Sequence, residues 1–289
     1  MLLSIVCTKS YLIVNNKLSG SPPERPQIRA SSHLANGIIV WMEMVTILSK
    51  RLCPAKRGNA PSWGRLPVLA SAALFCVLVF AILAWQLKAG GLTTGDGAIT
   101  GWVRADITPG LTSWMILITG LGSFDFAAAL TTLAVLFLLI HRKWGDGLRV
   151  AAASLSSWLL YTTLKLVFQR PRPDLPHLVP VGGYSFPSGH ATVTAALFFT
   201  LAMVYCGSPA NACRGWGWPH PPALAAPGNR NRTGRVLALA AAMLLVLLVG
   251  ISRVYLGVHY PSDVLAGWAA GGLLTLVIAM LPGPGFRAS

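Results

Sequence analysis

Charge is scarce in this sequence. Asp, Glu, Lys and Arg together make up 11% of its 289 residues, against about 25% in an ordinary soluble domain. The deficit falls mainly on the acids, with 8 Asp and Glu against 23 Lys and Arg. So few charges argue against an ordinary cytosolic enzyme. The 54% of residues from the AVILMFWYC set exclude a disordered chain, which is apolar-poor. Carboxylates never cluster, so nothing in the chain looks like an oxygen cage for Mg²⁺ or Ca²⁺. Cysteine is sparse as well. The five are Cys7, Cys53, Cys76, Cys206 and Cys213, an odd number with no outward-facing pair, which argues against disulfides. The spacing of Cys206, Cys213 and His220 matches no zinc pattern. No repeat of fixed period is evident.

What the chain does have is long apolar runs. They lie at about 66–87, 121–140, 150–167, 190–206, 236–251 and 263–281. A membrane-spanning helix needs roughly 20 residues, so the shorter runs must extend into their flanks. The expectation is an all-α polytopic membrane protein with six transmembrane helices. The weaker run Ala105–Gly120 contains Pro109 and Gly110 and reads as a broken, interfacial helix. Residues 1–60 are Pro-rich, basic and without sustained periodicity, and read as a disordered extension. Residues 61–284 then form one membrane domain. The loop 207–235, rich in Pro, Gly and Trp, reads as irregular.

Basic residues set the orientation. Of the 23 Lys and Arg, 17 fall in residues 1–65, in the loops 141–149 and 207–235 and at Arg287. Cytoplasmic loops carry the excess of basic residues, so these segments and both termini belong in the cytoplasm. The net charge of +15 is then a topology signal and an attraction to anionic membrane lipids. Nucleic-acid binding is the poorer reading, because the charge is spread over loops without interleaved aromatics.

Six cations remain on the outer side, and ionisable residues at membrane helix ends are functional candidates by default. Lys165 ends the third span and is followed by Arg170-Pro171-Arg172-Pro173, where the prolines stop the helix. Pro187-Ser188-Gly189-His190 precedes the fourth span. There Ser188 suits an N-cap, Gly189 permits close backbone approach, and the helix start is a ready anion site. Ser252-Arg253 ends the fifth span, with His259 and Asp263 four residues apart. That spacing puts them on one helix face, and Pro261 suits a first turn. Each group alone has a bland explanation: snorkelling cations, a plain helix cap, or a local His–Asp pair. Together they put cations and two histidines at the outer ends of three spans, a set that calls for an anion, with a tetrahedral phosphate the obvious one.

Lys165 with Arg172-Pro173, then Pro187-Ser188-Gly189-His190, then Ser252-Arg253 with His259 and Asp263, resembles the three-part signature of the type 2 phosphatidic acid phosphatase superfamily. The resemblance covers roughly residues 66–281. It implies a membrane phosphatase acting on a lipid phosphate or pyrophosphate, with its site at the outer membrane face; the Ala/Gly/Leu-rich composition and compact size look bacterial, so the expected membrane is a bacterial cytoplasmic one. It implies that Lys165, Arg172 and Arg253 bind phosphate oxygens together with the backbone of Ser188 and Gly189. It further implies that His259 is the nucleophile, that Asp263 orients it, and that His190 protonates the leaving group, with no metal or other cofactor. A lipid phosphotransferase would share every one of these residues. A soluble vanadate-dependent haloperoxidase would share the signature but not six apolar spans. An anion transporter would carry its charges or broken helices near the midplane, whereas these charges are terminal.

The orientation is testable with native thiols. An impermeant maleimide should leave Cys206 and Cys213 unlabelled in intact cells and label them after permeabilisation. Labelling in intact cells would invert the topology.

Overall fold

The computed structural model describes residues 66–207 and 232–280. The N-terminal extension and nearly all of the loop 207–235 lie outside the described residues. Among those described there are eight helices and no strand: α1 (Leu66–Lys88), α2 (Thr93–Val103), α3 (Pro109–Gly120), α4 (Phe124–Ile140), α5 (Trp144–Phe168), α6 (Gly189–Cys206), α7 (Arg232–Tyr255) and α8 (Pro261–Met280). Within α1, α5, α6, α7 and α8 lie five stretches long and apolar enough to cross a membrane. The sixth expected span is met only when α3 and α4, bent by 45° across a short break, count as one. Helix α4 alone has 17 residues, the lower limit for spanning.

The short runs do extend into their flanks. Helix α5 begins at Trp144 and carries Asp146 and Arg149 in its first turns, paired at 3.0 Å. Helix α7 runs 24 residues. Local capping explains where the other boundaries fall. The run expected from Leu121 becomes helical only at Phe124, because Ser123 is the N-cap and its hydroxyl accepts from the Phe126 N–H at 3.2 Å. Pro109 does not break a helix but starts one: it occupies the first turn of α3 behind the Thr108 cap, where a missing N–H costs nothing. Helix α2 was not anticipated. Its Gly- and Thr-rich sequence has no long apolar run, yet Asp96 and Thr100 are buried.

Helices α6 and α8 are buried along most of their length, whereas α1, α5 and α7 present most of their apolar surface outward. The centre is therefore the α6–α8 pair, with α7 closing a core around Val246, Phe199 and Trp268 and α1 packing Leu69 and Cys76 against Leu276. The pair is close because its contact residues are small. A Cβ at Gly267 would come within 2.8 Å of Ala191 Cβ, and one at Gly271 would strike the Thr192 carbonyl oxygen. The Gly267/Gly271 face of the last helix is thus taken up inside the chain, by α6.

Between α5 and α6 the chain runs for twenty residues without regular structure, but it is firmly tied. Gln169, left-handed at φ 47°, ends α5. Leu178 N–H donates to Leu256 O at 3.0 Å, and Ser185 N–H donates to Arg170 O at 2.9 Å. Arg104, just past α2, donates to Tyr255 O and to Pro176 O, both at 2.9 Å. Its guanidinium fills the space where a side chain on Gly257 would sit.

Gly271→Leu should lower the melting temperature of the detergent-solubilised protein, by the equivalent of about 1–3 kcal/mol or more of overpacking. Gly101→Ala, where a new Cβ meets nothing within 4 Å, should be neutral or slightly stabilising. Equal tolerance at both positions would show that the α6–α8 contact is not the tight one.

Candidate active site

The three motif segments meet at one end of the bundle. The segment after α5, the start of α6 and the turn between α7 and α8 converge there because Ser188 N–H donates to the Asp263 carbonyl oxygen at 3.0 Å, joining the first turns of the two central helices.

Each cation is held by neutral oxygen. Arg172 donates from Nη1 to Val258 O at 2.7 Å, from Nη2 to Gly182 O at 2.8 Å and from Nε to Gly183 O at 3.0 Å. Lys165 donates to Tyr184 O at 2.7 Å. Arg253, buried at the end of α7, donates from Nη1 to the Thr119 hydroxyl at 3.0 Å, while its Nε has no partner. Electrostatically, Lys165 feels both Arg172 and Arg253, so the three positive groups share one region.

His259 lies in the turn before α8, not on the helix. Tyr260 holds the position ahead of Pro261, so the shared helix face expected for His259 and Asp263 does not exist. Asp263 instead sits in the first turn and reaches back, its Oδ2 accepting from Tyr260 N–H at 2.9 Å. This is half of a capping box. The same Oδ2 lies 3.5 Å from His259 Nδ1, longer than an ordinary hydrogen bond, and Nδ1 has no hydrogen-bond partner although the ring is buried. At the other nitrogen, Arg172 Nη1 is 3.4 Å from Nε2. Arginine can only donate, so this long contact favours the tautomer with its proton on Nδ1, on the side of Asp263. Burial first, then Arg253, Arg172 and Lys165, hold His259 well below the ordinary histidine pKa, with the Ser185 carbonyl acting weakly the other way. Both effects favour the neutral imidazole, with Nε2 on the side of Arg172.

Ser188 is the N-cap of α6, as expected, but its hydroxyl caps nothing and is buried without a partner. Its backbone N–H is engaged by Asp263, which corrects the expectation that it is free for a ligand. A Cβ on Gly189 would meet the Tyr161 ring at 3.0 Å. The N–H groups of Gly189 and His190 start the helix, where no intrahelical acceptor exists. His190 lies within electrostatic reach of Arg253, His259, Lys165 and Arg172. Its ring is backed by the α3–α4 turn, where a Cβ on Gly122 would come within 3.1 Å of it.

Two groups beside the site were not read from the sequence as part of it. Arg170 appears in the Arg-Pro-Arg-Pro motif but was not assigned a role. It is buried and pairs with Asp263 at 2.6 Å and Asp96 at 2.7 Å. Burial acts to lower its pKa, but the two carboxylates outweigh this and the net shift is upward. The signal for Asp96 was only that an acid is rare in this chain.

Residues 146–284 match the PAP2 superfamily. Phosphatidylglycerophosphatase B of Bacillus subtilis (strain 168) is 32% identical over 201 residues, covering 70% of this chain and 90% of that protein. The chain belongs to the PAP2 superfamily. It is an integral membrane phosphatase of that superfamily. The crystal structure of a transmembrane PAP2-type phosphatidylglycerolphosphate phosphatase from Bacillus subtilis superposes with a TM-score of 0.60 at 29% identity, over 71% of this chain and 93% of that one. A lipid A 1-phosphatase of Rhizobium etli is 33% identical over 135 residues, covering 43% of this chain and 45% of that protein.

The neutrality of His259 has a direct readout. Its folded pKa is depressed, so acidification through the ordinary histidine value, about 6.5, protonates the unfolded chain but not the native ring. Histidine ¹⁵N NMR, with His259→Ala to assign the signal, should show the ring still neutral at about pH 6. A ring half-protonated there would mean that the three cations do not act on it.

Proposed function

We propose that this phosphatase hydrolyses a lipid phosphate or diphosphate at the outer face of a bacterial cytoplasmic membrane, through a phosphohistidine formed on His259. The observation that carries this reading is a pair of buried polar atoms left without partners in two of the motif segments: Ser188 Oγ and Arg253 Nε. Buried polar groups are nearly always paired, and a tetrahedral anion seated among Lys165, Arg172 and Arg253 supplies acceptors for both. The lipid class follows from the membrane fold and from relatives named phosphatidylglycerophosphatase B and lipid A 1-phosphatase. The outward orientation follows from the distribution of basic residues.

In this reading Lys165, Arg172 and Arg253 neutralise the phosphate oxygens, with Ser188 Oγ as a further donor. The Nε2 lone pair of His259 attacks phosphorus, and the P–O bond to the lipid breaks. His190 gives its proton to the departing oxygen. A water then loses a proton to His190 as it attacks the phosphohistidine, which releases inorganic phosphate and restores both rings. The positive charge that develops on His259 during attack is offset by the Asp263 carboxylate beside Nδ1. Fixed cations stabilise the charge of the transferring group by preorganised electrostatics.

Detergent-purified protein in excess EDTA should release phosphate from a panel of lipid phosphates. Rapid acid-free quenching should trap an acid-labile phosphoenzyme in the wild type and none in His259→Ala. Turnover abolished by EDTA and restored by Mg²⁺, or a phosphoenzyme that persists in His259→Ala, would overturn the mechanism.

A further inference from the structure

Asp96 and Arg170 are buried charges that the mechanism above does not use. Arg170 donates from Nη1 to Asp263 Oδ1 at 2.6 Å and to the Ser262 hydroxyl at 2.8 Å, and from Nη2 to Asp96 Oδ2 at 2.7 Å. Asp96 Oδ1 accepts from Ser262 N–H at 2.9 Å, and its Oδ2 accepts from the Ser262 hydroxyl at 2.6 Å. The guanidinium carbon lies 4.0 Å from the centre of the Tyr260 ring. Four residues from three separate segments are thus locked together at the start of α8.

Stability alone is a poor explanation for such a cluster. Buried ion pairs are often replaceable by apolar residues without loss, because desolvation offsets their attraction. The geometry offers a better one. Asp263 presents Oδ2 toward His259 Nδ1, and rotation about its carboxylate would turn that oxygen away. Tyr260 N–H holds Oδ2, and Arg170 adds the hold on Oδ1 that fixes both oxygens at once. Arg170 is itself kept from turning because Asp96 holds its other nitrogen, and Asp96 is anchored on the backbone of Ser262. The charge count matters as well. A lone Arg170 would neutralise Asp263, whereas two carboxylates sharing one guanidinium leave a net negative charge next to the imidazole.

We propose that Asp96, acting through Arg170, is a positioning residue for Asp263: it fixes the carboxylate and preserves the negative charge that Asp263 presents to His259. The inference rests on the role proposed above for His259. Asp96 sits in α2, outside residues 146–284 that match the family.

The test compares Asp96→Asn, Asp96→Glu, Arg170→Lys, the Asp96→Asn/Arg170→Lys double variant and His259→Ala, each as full-length protein in detergent with a short-chain lipid phosphate. Asp96→Asn and Arg170→Lys should each lower kcat about tenfold to a hundredfold, the size of effect typical of groups that orient a reacting ligand. KM and inhibition by inorganic phosphate should stay within about twofold, since the phosphate-binding cations are untouched. Lysine keeps the charge of Arg170 but lacks the fork that bridges two carboxylates. The double variant should be no slower than the slower single one, because the two residues act in series. Asp96→Glu should recover part of the loss. Unchanged kcat with a lowered melting temperature, parallel loss of kcat and phosphate affinity, additive losses in the double variant, or failure of both single variants to fold would assign the cluster to stability and overturn the proposal. His259→Ala separates the two levels. If it retains turnover, the reading of the site fails. If it is inactive while Asp96→Asn and Arg170→Lys turn over at the wild-type rate, the positioning role alone fails.

Discussion

The three cations around His259 are anchored by oxygens that carry no charge. Carbonyls of Tyr184, Gly182, Gly183 and Val258 and the hydroxyl of Thr119 hold Lys165, Arg172 and Arg253 in place. Carboxylates could have done the same positioning, but they would have cancelled the field that an anionic substrate needs. Neutral anchors keep the positive charges close together without a carboxylate bonded to any of them. Much of the surrounding architecture follows from this. The segment between α5 and α6 is kept irregular by Pro171, Pro173, Pro176, Pro180 and Pro187, which leaves the carbonyls of residues 182–184 free for Arg172 and Lys165. Asp96 and Asp263 are instead paired with Arg170.

The arrangement needs a rigid base, and the α6–α8 pair supplies it. Small residues bring the two helices into near backbone contact, and the Ser188–Asp263 hydrogen bond ties their first turns. In a bilayer there is no hydrophobic driving force between helices, so close packing and hydrogen bonds carry the association. The two histidines are therefore attached to the part of the molecule that relies least on its lipid surroundings.

Much of this was legible in the sequence because the signals are local. Apolar runs announced the helices, and the motif residues stand beside the prolines and glycines that end or begin those helices. What could not be read depended on distance or on backbone detail. Asp96 meets Arg170 across 74 positions, from a helix whose Gly- and Thr-rich sequence gives no apolar signal. The four-residue spacing of His259 and Asp263 suggested a shared helix face, but Pro261 starts the helix between them and leaves His259 outside it. Ser188 was correctly read as a cap position. That its hydroxyl is unused, and its N–H is taken by another helix, required the packing of α6 against α8.

Arg104 and Gly257 occupy one space between them. The guanidinium that joins Tyr255 to Pro176 lies where the first carbon of any side chain at position 257 would be, and Gly257 has a left-handed φ of 75°. A side chain at 257 would have to adopt that left-handed φ, push the end of Arg104 aside and crowd the Pro176 carbonyl oxygen at 3.1 Å. The glycine thus leaves a space that a charged side chain fills, and through it the turn before His259 is tied to the segment that carries Pro176.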